Sequence, residues 1–131
     1  MGKPADTTPV KKEKRSNELP KAKSHMIVEI VEYVPDSIVS KTVIKKSGGD
    51  VTATSVDEGE EFCETIMKFD IYVQVIDGNA EVAIGNERIK LTLGHGIVIP
   101  ANTSHCFYAT EQFKMITTMI NNNQKEIVAE A

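Results

Sequence analysis

From residue 26 onward, apolar and polar positions take turns in short runs, separated by Gly, Pro, Asn and Asp. In Glu81-Val82-Ala83-Ile84 and Glu87-Arg88-Ile89-Lys90-Leu91 the alternation is close to strict, which sets one row of side chains against a core and the other in water. No stretch carries a sustained helical period. Runs rich in Val, Ile and Thr predict strands over 26–34, 38–46, 51–56, 70–76, 80–84, 87–93, 96–99, 106–109 and 113–120. Ser47-Gly48-Gly49-Asp50 and Gly85-Asn86 supply turns. Asp77-Gly78-Asn79 predicts a hairpin between its flanking runs, because such residues accept the positive φ of a tight turn. About nine strands at this spacing predict an all-β sandwich or barrel. Residues 121–131 are polar and compatible with a short helix or a frayed end.

The first 25 residues differ in texture. They hold Pro4, Pro9 and Pro20 and almost no large apolar side chains, so they cannot offset their chain entropy and are expected to be disordered. The division is therefore a disordered basic tail over 1–25 and one domain over 26–131. Ser24-His25-Met26 has the form of a cloning-site remnant and equally of a native extension. At 131 residues, one domain fits better than two. With four Phe and no Trp, the core is expected to rest on Val, Ile, Leu and Met.

Charge is uneven. The tail carries seven Lys and Arg against three Asp and Glu, and the remainder carries eight against sixteen. An acidic domain repels nucleic acid, and the tail lacks aromatics to stack on bases. No apolar run approaches the ~18 residues of a membrane-spanning helix, and no signal-like stretch opens the chain. A cytoplasmic protein with no nucleic-acid or membrane partner is expected, with Cys63 and Cys106 as reduced thiols.

One segment speaks to chemistry: Gly94-His95-Gly96-Ile97-Val98-Ile99-Pro100-Ala101-Asn102-Thr103-Ser104-His105. A glycine turn, a β-branched run, a proline and a polar turn deliver one histidine to the start of the next strand. Gly94, Pro100 and His105 stand at the spacing of the second motif of the cupins, which resemble this chain over about residues 38–120. Asn102 replaces that motif's second glycine, and Ala109 its final asparagine. Asn tolerates the left-handed conformation a glycine would supply. Residues 73–82 are similar to the hairpin that follows the first cupin motif, and 113–120 to the closing strand of small cupins. The resemblance implies a double-stranded β-helix, or jelly-roll, barrel of the small single-domain conserved-barrel kind. It also implies pairing as a homodimer through outer strands.

Cupins place two His and a Glu in the first motif, and these join the later His around a metal. The matching segment here, Phe62-Cys63-Glu64-Thr65-Ile66-Met67-Lys68-Phe69-Asp70, has no histidine. With Asp70 as the acidic position, Cys63 and Thr65 fall on the His positions. A register anchored on Gly78 places Glu64, Ile66 and Ile71 there instead. Both registers stand open on sequence alone. A divalent ion needs about three or four donors, and His105 with Cys63 and Asp70 is one histidine short of the usual set. Cys63 also reads as a small apolar filler. Cys106 follows His105, so on a strand it faces the other way.

Asp70, Tyr72 and Gln74 share one strand face and Ile71, Val73 and Val75 the other. The polar set is expected to line a small-molecule pocket with His105. His95 reads as an exposed loop residue, and Glu58, Glu60, Glu61 and Glu64 as a solvated acidic run. Three functions follow. The first is a cupin-like protein binding a small molecule in the barrel lumen, without the usual His-rich metal site. The second is a metal-dependent cupin enzyme, a dioxygenase or isomerase, using His105 with Cys63 and Asp70 and one divalent metal ion. The third is an interaction module acting through the basic tail.

Overall fold

The computed structural model describes residues 18–64 and 66–121. Among them are nine strands: β1 (Ile38–Lys46), β2 (Gly49–Val56), β3 (Glu61–Glu64), β4 (Ile71–Gly78), β5 (Ala80–Ile84), β6 (Glu87–Leu91), β7 (Gly96–Ile99), β8 (His105–Tyr108) and β9 (Phe113–Ile120). They form two antiparallel sheets, in the orders β1-β2-β9-β4-β7 and β3-β8-β5-β6. The two sheets face each other across one apolar interior, as the jelly-roll reading requires.

Three elements differ from the sequence expectation. Asp77-Gly78-Asn79 is a corner and not a hairpin, since β4 lies in the five-stranded sheet and β5 in the other. The β4–β9 register slips between Val75 and Asp77, and Gly78 then takes φ +73° with its Cα packed against Gln112 and Phe113. The bulge and the glycine together turn the chain from one sheet to the other. The tight hairpin is the next one, where Gly85-Asn86 joins β5 to β6 with Ile84 opposite Glu87.

Residues 26–34 are not a strand. Ile27–Glu29 is one 3-10 turn, and Met26, Ile27 and Val34 are exposed. Ile30 and Val31 are neighbours that both pack inward, which a strand, turning neighbours to opposite faces, does not allow. The segment lies instead across the outer face of the five-stranded sheet, where Val31 and Ile30 pack with Ala53 and Ile116. Polar contacts pin it there. Ser55 Oγ donates to Glu32 O at 2.8 Å, Lys114 Nζ donates to Val28 O, and Tyr33 Oη donates to Asp77 Oδ2 at 2.7 Å. Burial, reinforced by Asp77, pushes the Tyr33 phenol well above its ordinary range. The third difference is β3, a four-residue strand that the patterning did not single out.

Of the segment expected to be a disordered tail, residues 1–17 lie outside the described residues, as do 122–131 at the other end. Of residues 18–25, Glu18 and Leu19 meet β1. Leu19 N donates to Val43 O at 3.2 Å, where a bulge between Thr42 and Ile44 frees that carbonyl, and Lys45 N donates to Glu18 Oε2.

The interior is built on Val56, Ile71, Val73, Val75, Val82 and Met115, but its centre is aromatic. Phe107 and Phe113 are the largest fully buried side chains, with ring centroids 6.3 Å apart. Away from that contact burial is less complete. On β9, Phe113 and Met115 are fully buried, while Thr117 and Met119 are half-buried. On β5, Val82 is fully buried and Ile84 half-buried.

Asn102 adopts φ +59°, as expected for the residue standing where the motif has glycine, and its N–H donates to Met67 O at 2.7 Å. Asn102→Gly is expected to leave stability nearly unchanged. Asn102→Val is expected to cost about 1–2 kcal/mol, because a β-branched side chain clashes in the left-handed region. Urea midpoints of the two variants check this.

Candidate functional site

His105 is the first residue of β8 and is 4% exposed. The loop before it turns at Gly94, with φ +89°, and at Asn102, then sends the ring inward. Its Nε2 lies 3.1 Å from Glu64 Oε1, and its Nδ1 3.4 Å from Thr103 O. The ring also meets Phe107 edge-on at 5.8 Å. Both nitrogens therefore face acceptors, which suits the doubly protonated imidazolium.

The hydrogen bond to Glu64 raises the His105 pKa above its ordinary 6.5, against burial, which lowers it, and with help from Thr103 O. The stabilisation is present in full below about 6.5 and is lost as pH rises through the raised native value. Glu64→Gln is expected to bring the His105 midpoint down. A ring-proton NMR titration of both proteins checks the shift.

The register of β3 against β8 decides between the two sequence alignments. Glu64 stands opposite His105, and Cys63 opposite Cys106. Of the set anchored on Gly78, Glu64 faces His105 and Ile71 is buried, while Ile66 is exposed and stands apart from them. Since neighbours on a strand face opposite ways, Glu64 and His105 share the inner face, and both cysteines share the outer one.

The expectation of reduced thiols is corrected: Cys63 and Cys106 form a disulfide, with Cα atoms 4.0 Å apart. The sequence did hold a signal for it. Any register that pairs Glu64 with His105 also pairs the two cysteines beside them.

The divalent metal implied by the resemblance does not fit these residues. His105 and Glu64 supply two donors, while Cys63 is oxidised and outside. Asp70 is exposed and its Oδ1 accepts from Ala101 N at 2.8 Å. Among the described residues, no three His, Cys, Asp or Glu side chains gather as a metal site. A Cys63-Asp70-His105 centre is therefore not assembled.

The expected pocket of Asp70, Tyr72, Gln74 and His105 is likewise corrected. Along β4, Ile71, Val73 and Val75 are buried, while Tyr72 and Gln74 are exposed on the outer face. The alternation was legible, but the direction was set by the apolar set winning the interior. Asp70 and Tyr72 instead border an open outer groove of ≈ 350 Å³ with Val98, Thr118 and Ile120. His95 is exposed, with its Nδ1 close to Thr92. Among the described residues, no helix is long and apolar enough to cross a membrane.

No family model matches the sequence, and no curated protein matches it. Solved structures do. A conserved protein of unknown function from Streptococcus pyogenes is similar at 27% identity and TM-score 0.76, over 81% of this chain and 93% of that one. A cupin superfamily protein from Desulfitobacterium hafniense is similar at 18% identity and TM-score 0.74, over 79% of this chain and 95% of its own. A cupin 2 conserved barrel domain protein from Leptotrichia buccalis is similar at 30% identity and TM-score 0.69, over 72% of this chain and 46% of its own. With the strand order, the motif spacing of Gly94, Pro100 and His105, and these likenesses in agreement, the chain is a small cupin-type domain.

Proposed function

We propose that this domain binds a small, mostly apolar molecule at the His105 end of the barrel, without a metal of its own. The observation that carries this reading is one polar pair, buried His105 and part-buried Glu64, at the end of a mainly apolar interior where Ile84 and Met119 are only partly covered. Apolar surroundings with few fixed polar groups are the usual form of a small-molecule site.

The two residues have different parts. His105 spends both ring nitrogens on Glu64 and Thr103, so it positions the carboxylate and balances its charge. The Glu64 side chain is 28% exposed, so its carboxylate keeps acceptor capacity toward the opening. A ligand hydroxyl or amine would donate to it, and half-buried Ile84 and Met119 would cover an apolar body. An anionic ligand would meet the part-buried Glu64 carboxylate and be disfavoured.

A hydrogen bond to a charged acceptor is worth about 1.5–3 kcal/mol, so Glu64→Gln is expected to weaken binding roughly tenfold or more. A ligand-observed NMR screen of small neutral alcohols and amides, followed by amide-shift mapping on the intact chain, tests the reading. Shifts at Glu64, Ile84 and His105, lost in His105→Ala, support it. Shifts confined to the outer groove at Tyr72 and Val98 overturn it. Stoichiometric iron, manganese or zinc that disappears in His105→Ala would instead favour the metal-dependent enzyme.

A further inference from the structure

The register that places Glu64 on His105 also places a disulfide directly behind it. β3 is an edge strand of four residues, paired on one side only within its sheet. Its beginning is held by backbone and ring contacts: Gly59 N donates to Ala109 O, Ala109 N donates to Glu60 O, and Phe62 stacks on Phe107 at 6.2 Å. Its end is held by the Cys63–Cys106 bond on the outer face and by Glu64 on the inner. Past Glu64 the chain leaves β8 and reaches Met67, whose carbonyl accepts from Asn102. The covalent bond thus sits where the edge strand departs from its partner.

The bond is also open to reagents. Cys63 is exposed and Cys106 half-buried. The residue beside Cys106 on β5 is Ala83, whose methyl group cannot overhang the sulfur. Thiol–disulfide exchange requires a thiolate to approach one sulfur from solvent, and this face allows it. Short edge pairings open at low cost once a cross-link is gone.

We propose that Cys63–Cys106 is a reversible thiol–disulfide site, and that its reduction by a dithiol releases the end of β3 and withdraws Glu64 from His105. The dithiol's thiolate attacks one sulfur, forming a mixed disulfide and freeing the other cysteine as thiolate. The second thiol of the reagent then displaces the first cysteine. Two electrons pass to the protein, the reagent leaves as a disulfide, and its two protons end on Cys63 and Cys106. The state of an outer-face bond thereby sets the geometry of an inner-face pair. This role does not depend on which molecule the barrel binds.

The test treats the intact chain with dithiothreitol under native conditions and counts thiols by maleimide mass. Amide exchange and the His105 ring resonances are then compared between the oxidised and reduced forms. Without reductant, no adduct is expected; after reduction, two per chain. The Glu64 amide is expected to exchange at least tenfold faster after reduction, and faster than the amides of Val73 and Val82 at the barrel's centre. The His105 ring shift is expected to move toward that of Glu64→Gln, and to return on reoxidation. A Cys63→Ser, Cys106→Ser double variant should reproduce the reduced spectrum. Free thiols before reduction, a bond reducible only in denaturant, or an unchanged Glu64 and His105 after reduction would each overturn the proposal. So would equal exchange of Glu64 and of the core amides after reduction, which would mean that the end of β3 opens only when the whole barrel does.

Discussion

Phe107→Ala is expected to destabilise the domain by about 3–5 kcal/mol, the range for truncating a fully buried aromatic ring. Phe107 is 1% exposed and touches three rings: Phe62 on the edge strand, His105 beside it and Phe113 from the opposite sheet. It therefore joins both layers and the candidate site at once. A domain of this size has about 5–15 kcal/mol to lose, so one truncation consumes a large share. Phe107→Leu should cost much less, because it keeps most of the volume. Urea denaturation of both variants measures the difference. A loss below about 1 kcal/mol for Phe107→Ala would mean the two sheets do not meet around that ring. The same variant should disturb the His105 ring, since it removes the edge-on neighbour at 5.8 Å.

Removing the disulfide is expected to cost roughly 4 kcal/mol in the chain-entropy account, given the 43-residue separation of its cysteines. The effect acts mainly on the unfolded chain, which gains freedom when the loop is opened. Unfolding of the Cys63→Ser, Cys106→Ser double variant should accordingly show a lower urea midpoint and a steeper dependence on urea, because its denatured state exposes more surface. An unchanged midpoint would indicate that the two strands are already held by Phe62 and the backbone ladder alone. A double variant that still unfolds cooperatively is what a local effect at the end of β3 requires. A disulfide is persistent in an oxidising compartment and transient in a reducing one, so the state of the Cys63–Cys106 pair follows its compartment. In a reducing setting, both forms of the Cys63–Cys106 pair are relevant to the barrel.

Much of the fold was legible because the strands announce themselves locally. β1, β5, β7 and β9 begin and end where the patterning places them. The Gly94-to-His105 spacing identified the barrel, and Asn102 took the left-handed conformation assigned to it. What misled was local grammar with two meanings. Asp77-Gly78-Asn79 spells a hairpin, yet a bulge beside it rotates the strand so that Gly78 turns a corner between layers. Residues 26–34 are rich in Ile and Val, but the neighbours Ile30 and Val31 both pack on the sheet's outer face, so the segment covers the sheet and does not pair as a strand.

The site shows the same division. The sequence by itself determined that the chain is a strand-built barrel, that His105 is delivered inward at the start of a strand, and that Cys106 faces away from it. These follow from residue spacing and the two-residue period of a strand. Only the tertiary structure decided that Glu64, and not Cys63, faces His105, that the two cysteines are bonded, and that Asp70, Tyr72 and Gln74 point outward. The first two depend on the register of β3 against β8, some forty residues apart in the chain, where a shift of one position exchanges the two faces; the third depends on which face of β4 takes the interior. That register is fixed by which side chains fill the shared interior, which no single strand specifies alone.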